Sequence, residues 1–300
     1  MGAAVAPEHI LRELAELWVS EGKQAAGGAG VLRACTMTLV VLSEENEDSA
    51  ALGETIAALM PEHPARSIVI RLRGASERVL AERVYAQCWM PFGERRQICC
   101  EQIEITASDA ALADLPSVLL PLAAPDLPLI VWCRSARFVE MPQFREIAAT
   151  ARKVVLDSAG FADAKRALRT IACADWGGAL VADLAWSRLT RWREAVSRAF
   201  DGRDVAGISN VRVVCGGVAA WYMGAWIVDA LADAGVRAGL AVAAGGPARV
   251  ELAGVEVPGP DETPRGDYLA MREELGIVGC DAVFSRTLAS AARLAYATDK

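Results

Sequence analysis

Residues 183–201 read D-L-A-W-S-R-L-T-R-W-R-E-A-V-S-R-A-F-D, a stretch that sets two tryptophans among four arginines. On a helix of about 100° per residue, Trp186, Leu189, Trp192, Val196 and Phe200 share one face about 120° wide. Arg191 and Arg198 fall on another side, with Arg188 not far from them. Arg193 is the exception, because its angle places it between Trp186 and Phe200, inside the apolar face. A guanidinium there must be paired, stacked on an indole, or directed at a partner, since an isolated buried charge is costly. Pairing within the chain, with Asp183 or another acid, competes evenly with a partner contact. Tryptophan and arginine are also the residue types enriched at interface hot spots.

Other chemistry-bearing residues form weaker patterns. An apolar run at 211–215 enters Gly216-Gly217 ahead of a helical segment, a layout that could hold a phosphate on backbone N–H groups. Residues 216–221 read G-G-V-A-A-W, so the full dinucleotide fingerprint fails and a plain tight turn is the simpler reading. His9 lies in an N-terminal helical segment, and His63 precedes Pro64, where the chain must be extended. Neither belongs to a catalytic pattern. Glu101 and Glu104, three apart in a strand, point to opposite faces and do not suit acid/base work on one bond. The cysteines at 35, 88, 99, 100, 133, 173, 215 and 280 include no C-x-x-C pair, and most sit in apolar runs. That usage favours a reducing, cytoplasmic compartment and argues against zinc. Adjacent Cys99 and Cys100 would point to opposite faces of a strand, so a bridge between them would be strained.

These residues need a scaffold, and the chain has the means to build one. It has 300 residues, 53% hydrophobic and 23% charged, enough for a sizeable core. A net charge of -7 argues against general nucleic-acid binding. Lysine occurs only at Lys23, Lys153, Lys165 and Lys300, and arginine supplies the rest of the basic charge. Glu8, Glu13 and Glu16 interrupt the N-terminus, so no secretory signal is read there. No uncharged apolar stretch reaches the roughly eighteen residues of a membrane span.

Residues 1–30 read as an amphipathic helix over 8–20 and a glycine-rich linker over Gly22–Gly30. Residues 31–160 read as an α/β domain with a mixed, mostly parallel sheet covered by helices. Its strands fall near 38–42, 67–72, 129–132 and 154–156, and helices near 48–60, 110–120 and 143–151. Residues 79–89 and 97–106 form an extended pair around Pro91-Phe92-Gly93. Residues 161–300 read as two helices, 161–173 and 184–200, then a smaller C-terminal α/β domain. That domain holds strands at 211–215, 239–243 and 249–252, a helix at 218–234, an exposed loop at 254–264 and a helical tail from Tyr268.

Four segments in this order resemble the glucose-6-phosphate dehydrogenase assembly protein family, OpcA. They are H-P-A-R-S-I at 63–68, which contains Arg66, and C-C-E-Q-I-E-I at 99–105. The third is L-P-L-A-A-P-D-L-P-L-I-V-W-C at 120–133, with Asp126 and Trp132. The fourth is the 183–201 segment, and Asp157-Ser158 fits the family's D-S after a strand. Two departures stand out: Arg191 replaces a family proline, so the helix is expected to run unbroken, and Cys133 replaces a tryptophan. The resemblance implies a non-catalytic subunit and allosteric activator of glucose-6-phosphate dehydrogenase that binds no NADP and does no chemistry itself. It marks Trp186, Arg188, Arg191, Trp192, Arg193, Asp126, Trp132 and Arg66 as motif residues for partner contact or for the fold. The rivals are an α/β sugar-phosphate-binding protein or enzyme using the Gly216-Gly217 turn, and a cysteine-based redox regulator.

Overall fold

The computed structural model describes residues 6–24, 31–90, 97–202, 204–260 and 265–297. The chain divides into two compact units, Met1–Val155 with Trp176–Leu180, and Leu156–Asp175 with Val181–Lys300. The architecture is α/β, with a large, mostly parallel sheet and a smaller mixed one.

The first elements are helix α1 (Pro7–Gln24), strands β1 (Val31–Arg33) and β2 (Met37–Glu44), and helix α2 (Ser49–Leu59). Strands β3 (Ala65–Arg73), β4 (Leu80–Trp89) and β5 (Gln97–Ser108) follow. Next come helix α3 (Leu115–Leu119), strand β6 (Leu129–Cys133), helices α4 (Ala136–Val139) and α5 (Pro142–Thr150), and strand β7 (Lys153–Leu156). Helix α6 (Ala164–Cys173) leads to strand β8 (Leu180–Asp183). The larger sheet has the order β1-β5-β3-β2-β6-β7-β8, with β4 antiparallel on β5. β2, β3 and β6 are buried over nearly their whole length, because residues such as Leu39, Val40, Val41 and Leu42 are apolar on both faces. The expected linker begins later than read, since α1 continues to Gln24; its remainder and the turn at Pro91-Phe92-Gly93 lie outside the described residues.

The later elements are helices α7 (Leu184–Ser187) and α8 (Thr190–Phe200), strand β9 (Asn210–Val214) and helix α9 (Gly217–Asp233). Strands β10 (Gly239–Ala243), β11 (Arg249–Leu252) and β12 (Val255–Glu256), then helices α10 (Asp267–Gly276) and α11 (Ala282–Ala297), complete them. The smaller sheet runs β10-β9-β11-β12, with β10 parallel and β11 antiparallel to β9. α9 is buried on most sides, consistent with its run of alanine, tryptophan, tyrosine and isoleucine.

Three expected helices differ. Residues 110–120 form a 3-10 turn at Asp109–Asp114, then α3, then a 3-10 turn at Leu120–Leu122. Pro116 and Pro121 have no N–H to continue one ladder through both. The 184–200 helix breaks at Arg188-Leu189 into α7 and α8, despite the absence of proline. Leu189 N donates to the Trp186 carbonyl, and Thr190 Oγ1 donates to the Ser187 carbonyl at 2.8 Å, which occupies the acceptors a straight helix would use. The tail is likewise two helices, and Asp281 caps the second by accepting from Phe284 N at 2.9 Å.

Cys88 and Cys99, directly opposite across β4 and β5, are joined by a disulfide. This corrects the reading that the cysteines are reduced hydrophobes, because the register that pairs the two strands was not visible in sequence. The remaining thiols are Cys35, Cys100, Cys133, Cys173, Cys215 and Cys280. Burial pushes Cys100 and Cys215 up to about 11 and Cys133 up to about 12, leaving them poor nucleophiles at neutral pH. Thiol titration of native protein should therefore find Cys173 and Cys280, the exposed pair, reacting first. Denatured, unreduced protein should titrate fewer thiols than reduced protein by the two of the bridge. Equal counts with and without reductant would contradict the bridge.

Candidate functional site

The motif residues gather around buried carboxylates. In the first unit Arg66, on β3, is 7% exposed and Glu101, on β5, is 3% exposed. Arg66 Nε donates to Glu101 at 2.5 Å and its Nη1 donates to the Leu122 carbonyl at 2.7 Å. Glu101 also accepts from the Trp18 indole of α1 at 2.6 Å and pairs with Arg33 of β1. Arg33 in turn lies 5.4 Å from the Trp18 ring centroid. One carboxylate thus ties α1, β1, β3 and the 120–122 turn to β5, which brings three of the four resembling segments to one point. Breaking one side of such a buried pair costs about 3–5 kcal/mol, because the remaining charge is left without a partner.

The rest of the 120–133 segment is spread out. Thr38 fastens it to β2, donating its N–H to the Pro128 carbonyl and accepting from Ala124 N. Asp126 is exposed at φ 61°, a left-handed turn conformation that aspartate tolerates better than most residues. Trp132 is fully buried in β6, with the Arg134 guanidinium 5.0 Å from its ring centroid.

In the second unit Asp183 is fully buried and caps α7. It accepts from Ala185 N at 2.9 Å, Ser158 N at 3.2 Å, Ser158 Oγ and the Tyr222 hydroxyl at 2.9 Å. Burial raises its carboxyl to about 6, although the hydrogen bonds pull the other way. Burial and the neighbouring Asp183 also push Tyr222 well above its usual range. Arg188 makes a bidentate pair with Asp157 at 2.8 and 3.0 Å and reaches Asp267 of α10 at 2.7 Å. Burial opposes the Arg188 charge, but these two carboxylates more than offset it and raise its pKa.

Trp186 packs edge-on to Tyr222 and near Phe284, and its indole donates to Asp281 at 3.1 Å. Arg193 takes the stacked option, with its guanidinium 3.7 Å from the Trp186 ring centroid and Nη2 donating to Thr190 Oγ1. Burial lowers its pKa, with Asp281 and Glu273 opposing. Ser187 Oγ donates to buried Glu274. Trp186, Arg188 and Arg193 are therefore brought together inside the second unit. Arg191 is 42% exposed by side chain and pairs with Glu194, whereas Trp192 is half-buried against Gly259. A Cβ at Gly259 would sit 2.9 Å from the Trp192 ring, so a larger residue there would push the indole aside. At the other glycine turn, Gly216 caps α9 and Gly217 adopts φ 62°.

Sequence reading missed Glu101 as the partner of Arg66, and missed Tyr222, Asp267, Glu274 and Asp281 around the 183–193 segment. They lie tens of residues away, and no local pattern marks them. Among the described residues no group of histidine, cysteine and acidic side chains has metal-site geometry, and no helix is long and apolar enough to cross a membrane.

The Asp183 environment has a pH consequence. A folded-state carboxyl raised from 3.8 to about 6 contributes stability below its unfolded value that is lost as pH rises through about 6. That amounts to about 3 kcal/mol between pH 4 and pH 7. Denaturant melts of wild type and Asp183→Asn across that range should show the wild type losing ground by this order. A pH-independent difference between the two would contradict the raised carboxyl.

Two family models match the chain in succession. The model for the glucose-6-phosphate dehydrogenase subunit N-terminal domain matches residues 56–173, and that for its C-terminal domain matches residues 179–264. Three curated proteins, each named "Putative OxPP cycle protein OpcA", are similar over about half of this chain. Those of Synechocystis sp. and Nostoc punctiforme are 29% identical over 157 and 160 residues, covering 51% and 52% of this chain. That of Synechococcus elongatus is 26% identical over 163 residues, covering 53%. The aligned regions span 32%, 33% and 36% of the Synechocystis, Nostoc and Synechococcus proteins, about a third of their length. With both domain models matched in order, the chain belongs to the OpcA family of glucose-6-phosphate dehydrogenase subunits.

Proposed function

We propose that this chain is a non-catalytic subunit of glucose-6-phosphate dehydrogenase that assembles with the enzyme and activates it allosterically. The observation that carries the reading is the ordered match to both domain models of a dehydrogenase subunit. The commitment of the most reactive-looking side chains to internal bonds supports it. Asp183, the carboxyl with a near-neutral pKa, is sealed from solvent and already accepts from Ser158, Ala185 and Tyr222. The chain would take no cofactor of its own and would work in the cytoplasm beside the enzyme.

The mechanism is linkage. A subunit that binds the enzyme's active form more tightly shifts its population by the difference in affinity, and substrate binding is coupled reciprocally. Of the motif residues, Asp126, Arg191 and Trp192 retain solvent-facing surface for contact, while Arg66, Trp132, Trp186, Arg188 and Arg193 support the fold. A redox regulator is the second reading, favoured by the Cys88–Cys99 bridge on an outer strand of the large sheet.

Co-purification with the dehydrogenase of the same organism, followed by kinetics with and without the chain, tests both. A coupling of about 1–3 kcal/mol predicts a KM for glucose 6-phosphate lowered about 5- to 150-fold. Separate elution at micromolar concentration with unchanged rates would sink the reading. The same assay in oxidised and reduced buffer decides whether the bridge gates the effect.

A further inference from the structure

β4 pairs with β5 in an unbroken antiparallel register, from Leu80 opposite Ala107 to Trp89 opposite Ile98, and is hydrogen-bonded to no other strand among the described residues. It is therefore an edge of the large sheet. The Cα atoms of Cys88 and Cys99 lie 4.0 Å apart, and Ser108 N donates to the Val79 carbonyl one step before the strand begins. Cys88 and Cys99 thus form a close, non-hydrogen-bonded pair, and the odd-numbered residues of β4 turn their N–H and C=O groups to β5. Leu80, Glu82, Val84, Ala86 and Cys88 turn theirs outward, where among the described residues no hydrogen bond reaches them.

Monomeric proteins guard such edges by keeping them short, by bulges, or with lysine and proline. β4 has ten residues, no bulge, no lysine and no proline, and its two charges, Glu82 and Arg83, cancel. By contrast β1 and β8, at the ends of the same sheet, have only three and four residues. The side chains of β4 alternate between two faces. Glu82 lies on the face that carries α1, 3.9 Å from His9, whereas Ala81, Arg83 and Tyr85 are exposed on the other.

An antiparallel edge can continue its sheet through a second copy of itself, about a two-fold axis perpendicular to the sheet. Such an axis keeps each face on its own side. Centred on Val84, it sets the outward groups of residues 80, 82, 84, 86 and 88 against those of the second copy, giving about ten main-chain hydrogen bonds, two to each facing pair. On the exposed face it sets Arg83 against Tyr85 of the second copy, and Tyr85 against Arg83 of the second copy, a cation beside a ring twice over. An axis at Glu82 or Arg83 would oppose like charges, and one at Tyr85 would give up both arginine–tyrosine pairs. We propose that two copies of this chain dimerise edge to edge through antiparallel β4 strands centred on Val84.

The proposal concerns the chain alone and stands apart from the dehydrogenase reading. Sedimentation of the full chain at micromolar concentration should give twice the 31.8 kDa of one copy. Val84→Pro removes an outward N–H and spares the bonds between β4 and β5, so it should give monomer. Tyr85→Lys, at an exposed position, sets lysine against Arg83 twice and should raise the dimer dissociation constant about tenfold or more, whereas Tyr85→Glu should keep the dimer. Circular dichroism checks that each variant is folded, and the two Tyr85 variants decide the matter if Val84→Pro fails to fold. A monomeric wild type, a dimer indifferent to folded Val84→Pro or to Tyr85→Lys, or loss of the dimer in Tyr85→Glu would each overturn the proposal. A monomeric chain whose Val84→Pro variant no longer co-elutes with the dehydrogenase would overturn it too, and would give the edge to the enzyme.

Discussion

A carboxylate taken out of water must be met by donors, and that requirement governs where the motif side chains of this chain sit. Asp183 and Glu101 are both almost inaccessible to solvent. Each is surrounded by groups from elements far apart in sequence: Trp18, Arg33 and Arg66 for one, Ser158, Ala185 and Tyr222 for the other. An unpaired charge in either place would cost several kcal/mol, a large fraction of a domain's whole stability. The pairs therefore act less as added stability than as conditions the fold must satisfy to close. They fix the entry of α1, the seating of the 120–122 turn, and the start of α7.

This placement separates two roles that sequence alone leaves merged. Tryptophan and arginine in one segment have the composition of an interface hot spot, but Trp186, Arg188 and Arg193 spend their polar groups and ring faces inside their own unit. Within the second unit these side chains hold the frame together. Asp126, held at the tip of its turn, Arg191 on α8 and, in part, Trp192 are the motif positions with surface open to water.

Much of the fold was legible because its signals are local. The short continuous apolar runs at 37–44, 65–73 and 129–133 are strands covered on both faces, and they appear where the pattern puts them. The break between α7 and α8 was not legible. The carboxylates that hold Arg188 at the break lie 31 and 79 residues away, and no proline marks the spot. The Cys88–Cys99 bridge depends on the register of β4 against β5, which cysteine spacing does not encode. β1 and β12 were missed for a simpler reason, having too few residues to show a period, and β8, no shorter than β7, was missed as well.

The claim that the motif segments are interior framework, with a partner engaged elsewhere, is tested most directly by hydrogen–deuterium exchange of the chain alone and with the dehydrogenase. The account predicts that amides around 66, 101 and 183–187 are already slow in the free chain and change little on mixing, while new protection appears on exposed segments. Fast exchange at 183–187 in the free chain, slowed only when the enzyme is added, would contradict it.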